Sequence, residues 1–365
     1  MTAVMRAHAL PALGGAVLLA ALGVAVVRFR RPGPRLAAIL KFDVHTHLSP
    51  DGLARALALF DANGIGRVVN LSGGATPERL AEQLAAANST HGRILVFANL
   101  DFTGALSPGW VARQVAWLDD ARRRGARGLK VFKTFGLRIR DPAGVLIAVD
   151  DPRLDPIFEE AGRLGLPVAI HVGDPKAFFE PPGAANEREE ELALNPAWSF
   201  ADRSRFPSWE ALHDAFERLV ARHPDTTFIG VHFGNDPEDP ARVAALLDRS
   251  PNLYVDTAAR VGEIGRIGAP ALRAIFLAHR THILFGTDVG ISADRLTLGA
   301  PEPYPETAET AARFYDAHWR FFETADRGLE TPSPIQGRWT VDGLALPRDV
   351  LEDLYHRNAE RLFGL

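Results

Sequence analysis

The stretch ILKFDVHTHLSP, residues 39–50, sets His45 and His47 one residue apart at the end of a run rich in β-branched and apolar residues. On a strand, alternate side chains share a face, so the two imidazoles point together and Thr46 points the other way. Two neutral imidazoles aimed at one spot are half of a metal site. A catalytic zinc takes three or more protein ligands, so the remainder must come from elsewhere in the chain. Alone, the pair reads equally well as two polar residues closing a strand.

Four further residues stand at corresponding places in other strand-like segments. Lys130 lies in RGLKVF, His171 ends LPVAIHV, His232 ends TTFIGVHF and Asp288 ends HILFGTD. Each has an ordinary reading when taken singly: a histidine at a strand end is often a hydrogen-bonded structural residue, and a terminal aspartate often caps the next helix. The sequence contains no cysteine. Disulfides, thiolate-ligated zinc and thiol nucleophiles are therefore excluded, and a metal would have to be held by His, Asp, Glu or a modified Lys.

The elements that must position these residues alternate regularly. KFDVHTH precedes the helical DGLARALALFDANG, RVVNLS precedes TPERLAEQLAAAN, RILVFANLD precedes GWVARQVAWLDDARRRG, and the pattern continues through RGLKVFKT, LPVAIHVG, TTFIGVHFG, NLYVDTAAR and HILFGTDVG. About eight strand-helix units predict an α/β protein of the (β/α)8 TIM-barrel type, and 365 residues at 47% hydrophobic suffice for its core. All strand carboxyl ends of such a barrel open on one mouth, so His45, His47, His171, His232 and Asp288 would converge there. Lys130 shares a strand face with Gly128 and Phe132, opposite Leu129 and Val131, which points it into the barrel, where an unpaired ammonium is costly. Lys133, on the other parity, reads as a strand-end surface residue.

Long connections follow the fifth and eighth strands, from Gly173 to Ser208 and from Val289 to Pro347, and are candidate lids. In and beside the first, Phe178, Phe179, Trp198, Phe200 and Trp209 offer either an apolar substrate wall or a small core of the loop's own. Arg260, just past the seventh strand, offers a clamp for a substrate carboxylate or a salt bridge across the mouth.

The amino-terminal segment differs in kind. ALPALGGAVLLAALGVAVV, residues 9–27, is uncharged and is followed by RFRRPGPR. Its length matches the ~20 residues of a membrane-spanning helix. Arg28, Arg30, Arg31 and Arg35 follow it while only Arg6 and the amino terminus precede it, which places the carboxyl side in the cytoplasm by charge bias; an export signal is the alternative. Residues 1–36 thus read as anchor and linker and 37–365 as the barrel. The net charge of −4 and the lack of a basic stripe in the folded part argue against a nucleic-acid partner.

The ordered set, H-x-H on the first strand, His on the fifth and sixth and Asp on the eighth, together with the ending LYHRNAERLFGL, resembles the amidohydrolase superfamily and its amidohydrolase-related branch, from about Ile39 to Leu365. That branch holds metal-dependent hydrolases and decarboxylases similar to aminocarboxymuconate semialdehyde decarboxylase. The resemblance implies a divalent ion, zinc first among candidates, held by His45, His47, His171 and Asp288, with His232 left for acid-base work. GARGLKVF is also similar to the fourth-strand stretch of urease-like and dihydroorotase-like members, in which a carboxylated lysine bridges two metals; carried over, Lys130 and His232 would hold a second ion. The branch resembles a single-metal design, so one ion is expected, with Lys130 paired to Asp288 or to a substrate carboxylate. The implied reaction on a small molecule is attack of activated water on an amide, ester or lactone, with Asp288 taking the proton. Decarboxylation by the same ligands is the alternative, and a non-catalytic, membrane-tethered binding barrel is the reading from another class.

Overall fold

Eight short parallel strands follow one another in chain order, the first seven each separated from the next by helix. β1 is Lys41–Leu48, β2 Ile65–Asn70, β3 Ile94–Asn99, β4 Gly128–Val131, β5 Val168–Ile170, β6 Phe228–Gly230, β7 Leu253–Asp256 and β8 Ile283–Leu284. The computed structural model describes residues 39–173 and 175–365, and residues from Ala38 to Leu365 form one compact unit. The apolar stretch 9–27, expected as a membrane helix, lies outside the described residues. Among the described residues no helix is long and apolar enough to cross a membrane.

Neighbouring strands from β1 to β8 pair in parallel register. The sheet curls so that its ends meet: Val44 N–H donates to the Phe285 carbonyl at 2.9 Å and Asp288 N–H to the His45 carbonyl at 2.8 Å. The eighth strand is shorter than HILFGTDVG suggests. Asp288 has φ 63°, a left-handed conformation that Asp tolerates better than most side chains, and it breaks the strand there. The chain then forms a hairpin, β9 (Val289–Ile291) parallel to β1 and β10 (Leu296–Leu298) antiparallel to β9.

Two cores follow from strand alternation. Val68, Val96, Leu129, Val131, Val168 and Ile170 pack outward against the helices. Phe42, Val44, Val69, Leu95, Phe97, Ala169, Ile229 and Leu284 form an inner cluster with Phe363 near the carboxyl terminus. β1 carries one residue more than β2 between the pairs Asp43↔Val68 and Thr46↔Asn70, a β-bulge. The extra residue reverses the pleat, so Phe42 and Val44 face the inner core below while His45 and His47 face inward above it. Buried Asp43 holds the bulge by accepting from the His45 N–H (3.0 Å), the Thr287 N–H (3.1 Å) and the Thr287 hydroxyl.

The connection after β5 packs mainly on itself: Leu137, Phe178, Phe179, Leu192, Phe200, Trp209 and Leu212 make a satellite core. Its acidic run is tied down residue by residue. Arg188 is buried between Glu191, at 2.7 Å, and Glu263 of the β7 loop, while Glu187 pairs with Arg266 at 3.0 Å and Glu190 pairs in two-pronged fashion with Arg338. Removing the cation from a buried cluster leaves its carboxylates uncompensated, at a cost of about 3–5 kcal/mol. Arg188→Met is therefore expected to lower the urea midpoint at unchanged slope, the product of shift and slope being about 3–5 kcal/mol; an unaltered midpoint would show that the latch contributes nothing to stability.

Candidate active site

Asp288, His45 and His47 meet at the mouth. Asp288 Oδ1 lies 3.4 Å from His45 Nε2 and 3.2 Å from His47 Nε2. Its left-handed backbone, fixed by the bond from its N–H to His45, turns the carboxylate back towards the two rings. His47 is held from β2: its Nδ1 lies 2.8 Å from Ser72 Oγ. Asn70 in turn accepts from the Leu48 and Ser72 N–H groups and donates to the Leu48 carbonyl, so the segments carrying His47 and Ser72 share one anchor.

His232 enters from β6 by a sharp departure from strand geometry. His232 and Phe233 have φ 54° and 57°, and Gly230 is required because a Cβ there would stand 2.9 Å from the Gly234 Cα. His232 Nδ1–H donates to the Ala258 carbonyl at 2.9 Å, which leaves the lone pair on Nε2. The ring lies 4.9 Å from that of His45 and 4.4 Å from that of His171.

His171 stands beside His232 rather than against Asp288. Its Nε2–H donates to the Gly173 carbonyl at 2.7 Å, so its metal-competent nitrogen in this orientation is Nδ1. Of the four ligands implied by the resemblance, the structure thus brings together His45, His47 and Asp288, whose ligand atoms lie within 4.8 Å of one another, and holds His171 one ring away.

Asp256, at the end of β7, was not singled out from the sequence. Its Oδ2 accepts from His45 Nδ1 at 2.9 Å, and its Oδ1 accepts from the His232 and Ala258 N–H groups at 2.8 and 3.1 Å. The signal was available: NLYVD ends in an aspartate just as HILFGTD does. Asp43 was missed as well, since its role depends on a bulge that no sequence pattern announces.

The electrostatics of the mouth are uneven. Burial pulls His171 and His232 well below the ordinary imidazole value, reinforced for His171 by His232, Lys133 and Lys130 and for His232 by Arg260 and His45. Burial also lowers His47, against the pull of Asp288. Each shift favours the neutral ring, the form that ligates metals. Burial works against ionised Asp288, but His45, His47 and His232 outweigh it and hold the carboxyl far below its usual range. Lys130 is 1% exposed and its Nζ makes no hydrogen bond, so burial pushes its pKa down to about 8 despite the attraction of Asp256 and Asp288.

The other expected site residues fall at the edges. Arg260 is buried and donates to the Ala259 carbonyl, close enough to disfavour charge on both His171 and His232. Phe178 is enclosed in the satellite core of its loop, which is how an aromatic-rich loop satisfies itself. Trp198 is half-buried on that core, its ring 4.8 Å from Lys133 Nζ and 6.0 Å from Phe178. On the opposite side of the mouth, beside His47, a cavity of about 520 Å³ is lined by Ser49, Ser72, Arg79, Gln83, Asn99, Arg295 and Thr297 among others. Two imidazole nitrogens and a carboxylate oxygen within 4.8 Å of one another, from His45, His47 and Asp288, suit a divalent first-row ion.

Comparison with known proteins agrees with this fold. The dihydroxybenzoic acid decarboxylase of Polaromonas sp., solved with bound manganese and the inhibitor 2-nitroresorcinol, superposes with a TM-score of 0.53 at 16% identity, over 89% of this chain and 97% of that one. The 2,6-dihydroxybenzoate decarboxylase from Rhizobium gives 0.51 at 18% identity, over 89% and 98%. An uncharacterized TIM-barrel protein from Bordetella bronchiseptica gives 0.51 at 16%, over 89% and 98%. At these identities the likeness is one of fold. No curated protein matches the sequence. The amidohydrolase family matches residues 42–365, nearly the whole of the described chain. With its histidines and aspartate on the strand ends that this family match spans, the chain belongs to the amidohydrolase family.

Proposed function

We propose that this chain is a metal-dependent hydrolase acting on an amide, ester or lactone of a small molecule, on a closed (β/α)8 barrel that carries one divalent ion, zinc first among candidates. The observation that supports this most directly is Asp288 Oδ1 standing between His45 Nε2 and His47 Nε2. Those three groups would hold the ion, and His171 would join them by presenting Nδ1 or by turning from the Gly173 carbonyl. The ion supplies Lewis acidity that makes water a usable nucleophile near neutral pH.

The chain's own residues do the rest. Asp288, ionised in its surroundings, accepts the proton of the attacking water and passes it to the leaving group. His232, pinned through Nδ1–H, offers Nε2 to orient the water or to take a proton. Arg260 and Lys130 add positive charge where the substrate carbonyl oxygen gains negative charge. The same positive mouth favours a substrate that bears a carboxylate, which supports decarboxylation of a small organic acid as the second reading. Lys130 as an ammonium opposes a second ion, so a single equivalent is proposed. The amino-terminal stretch 9–27 is proposed, from its sequence, to anchor the barrel to a membrane with the barrel on the cytoplasmic side.

Three outcomes are expected. Zinc titrated into chelator-treated enzyme, with and without bicarbonate, should saturate at one equivalent, and His47→Ala should lose that equivalent while keeping its thermal unfolding within ~1 kcal/mol of the parent. Saturation at two equivalents that requires bicarbonate and vanishes in Lys130→Ala would instead establish a bridged pair. Asp288→Asn should reduce turnover at least ~100-fold, read in a screen of small amides, lactones and aromatic carboxylates with released carbon dioxide trapped; hydrolysis without carbon dioxide supports the first reading and trapped carbon dioxide the second. In cells, the full chain should sediment with membranes and a form beginning at Arg35 should not; equal partition of the two would remove the anchor.

A further inference from the structure

We propose that Asp256 is a positioning residue that makes the metal-facing His45 and the acid-base His232 a single unit. It fixes the tautomer of the first and the backbone of the second. The proposal rests on the reading of His45 as a metal ligand given above, and extends it to a residue that touches neither ion nor substrate.

Asp256 is 1% exposed and sits at the last paired position of β7, opposite Leu284 of β8, so its carboxylate is carried by a rigid element. Each of its oxygens is engaged. Oδ1 already accepts from two backbone N–H groups, and Oδ2, 2.9 Å from His45 Nδ1, is placed to accept there as well, so the geometry assigns the proton in that bond to the imidazole. His45 is thereby held as the Nδ1–H tautomer, with its lone pair on Nε2, the nitrogen that faces Asp288 at 3.4 Å. Without this partner either nitrogen could carry the proton, and an Nε2–H imidazole cannot bind a metal at Nε2.

Oδ1 does a different job. It accepts from the His232 N–H at 2.8 Å and the Ala258 N–H at 3.1 Å. His232 has φ 54° and ψ 49°, a conformation unfavourable for a side chain with a Cβ, and the charge-assisted bond to its N–H is placed where it offsets that strain. Ala258 also supplies the carbonyl that receives His232 Nδ1–H, so Asp256 holds the peptide on each side of that ring contact. One carboxylate therefore sets which nitrogen of His45 is basic and where the His232 ring stands, and the 4.9 Å separation of the two rings follows from it.

The two jobs separate by substitution. In Asp256→Asn the amide oxygen stays with the two backbone N–H donors, because an NH2 group there would face them donor to donor. The amide NH2 then faces His45 Nδ1 and donates to it, and His45 switches to Nε2–H, with Asp288 Oδ1 available to accept that proton. Nitrogen NMR of the metal-free protein labelled in histidine should show His45 as Nδ1–H in the parent and Nε2–H in Asp256→Asn. Zinc affinity, measured by competition with a chromophoric chelator, should fall about 10–100-fold. Asp256→Ala should show a fall at least as large and, in addition, faster amide exchange at His232, which Asp256→Asn should not. Nε2–H in the metal-free parent, or an Asn variant with parental zinc affinity, would overturn the proposal. Should the variants fail to fold, the tautomer of the parent still decides. A parent that shows Nδ1–H yet binds no zinc would defeat the metal reading alone.

Discussion

The bulge in β1 is the constraint on which the site depends. A regular strand would put Phe42, Val44, Thr46 and Leu48 on one face and Asp43, His45 and His47 on the other, so that filling the inner core with Phe42 and Val44 would turn both histidines out towards the helices. One extra residue reverses the pleat between the two sets. The backbone N–H that the bulge leaves unpaired, that of His45, is taken by Asp43, and the same carboxylate binds the backbone and hydroxyl of Thr287. The distortion that aims the histidines is thus tied to the residue immediately before Asp288. Burial pushes Asp43 up to about 7 while its hydrogen bonds favour the ionised form, which measures how costly it is to keep a carboxylate at that depth.

Charge is then distributed so that few groups compete for the ion. Asp43 is engaged by N–H and O–H donors and Asp256 by two backbone N–H groups and His45 Nδ1, so it is Asp288 that faces the Nε2 atoms of His45 and His47. Lys130, Lys133 and Arg260 bring positive charge to the same space and depress His171, which keeps neighbouring rings neutral and able to ligate or accept protons. A divalent cation bound there would add its charge to that of Lys130, Lys133 and Arg260, with Asp256 and Asp288 set against them.

Much of this was legible in the sequence because it depends on period and punctuation. The eight strand-like segments, the helices between them and the parallel order all follow from runs of apolar and β-branched residues ended by Gly, Asp and Pro. His45, His47, His232 and Asp288 were found because strand ends in such a fold converge. What escaped depends on local departures from regularity. The bulge that recruits Asp43, the left-handed backbone at His232 and Asp288, and the ring orientation that sends His171 to Gly173 are set by tertiary contacts, not by spacing. Phe178 illustrates the converse: an aromatic residue in a long loop after a strand end has the right address for a substrate wall, yet the loop carries enough apolar residues to enclose it. Asp256 carried the same positional signal as Asp288, an aspartate at a strand end.

The placement of the loops gives the site a direction. After β5 the chain covers its side of the mouth with a satellite core, and the pairs Glu187–Arg266, Arg188–Glu263 and Glu190–Arg338 fasten it to residues that follow β7 and β8. Across the mouth, the β9–β10 hairpin, the turn after β1 and the helix Pro77–Asn88 leave the cavity beside His47. Its walls mix hydroxyls, amides, the Arg295 guanidinium and the Arg79–Glu82 ion pair with the apolar side chains of Leu48, Pro50 and Ile291. A substrate that reaches the Asp288 carboxylate through this cavity passes His47 before His171 or His232. It would meet hydrogen-bond partners in Ser49, Thr297 and Arg295 and apolar surface in Leu48, Pro50 and Ile291, so this approach suits a substrate with both a polar and a small apolar portion.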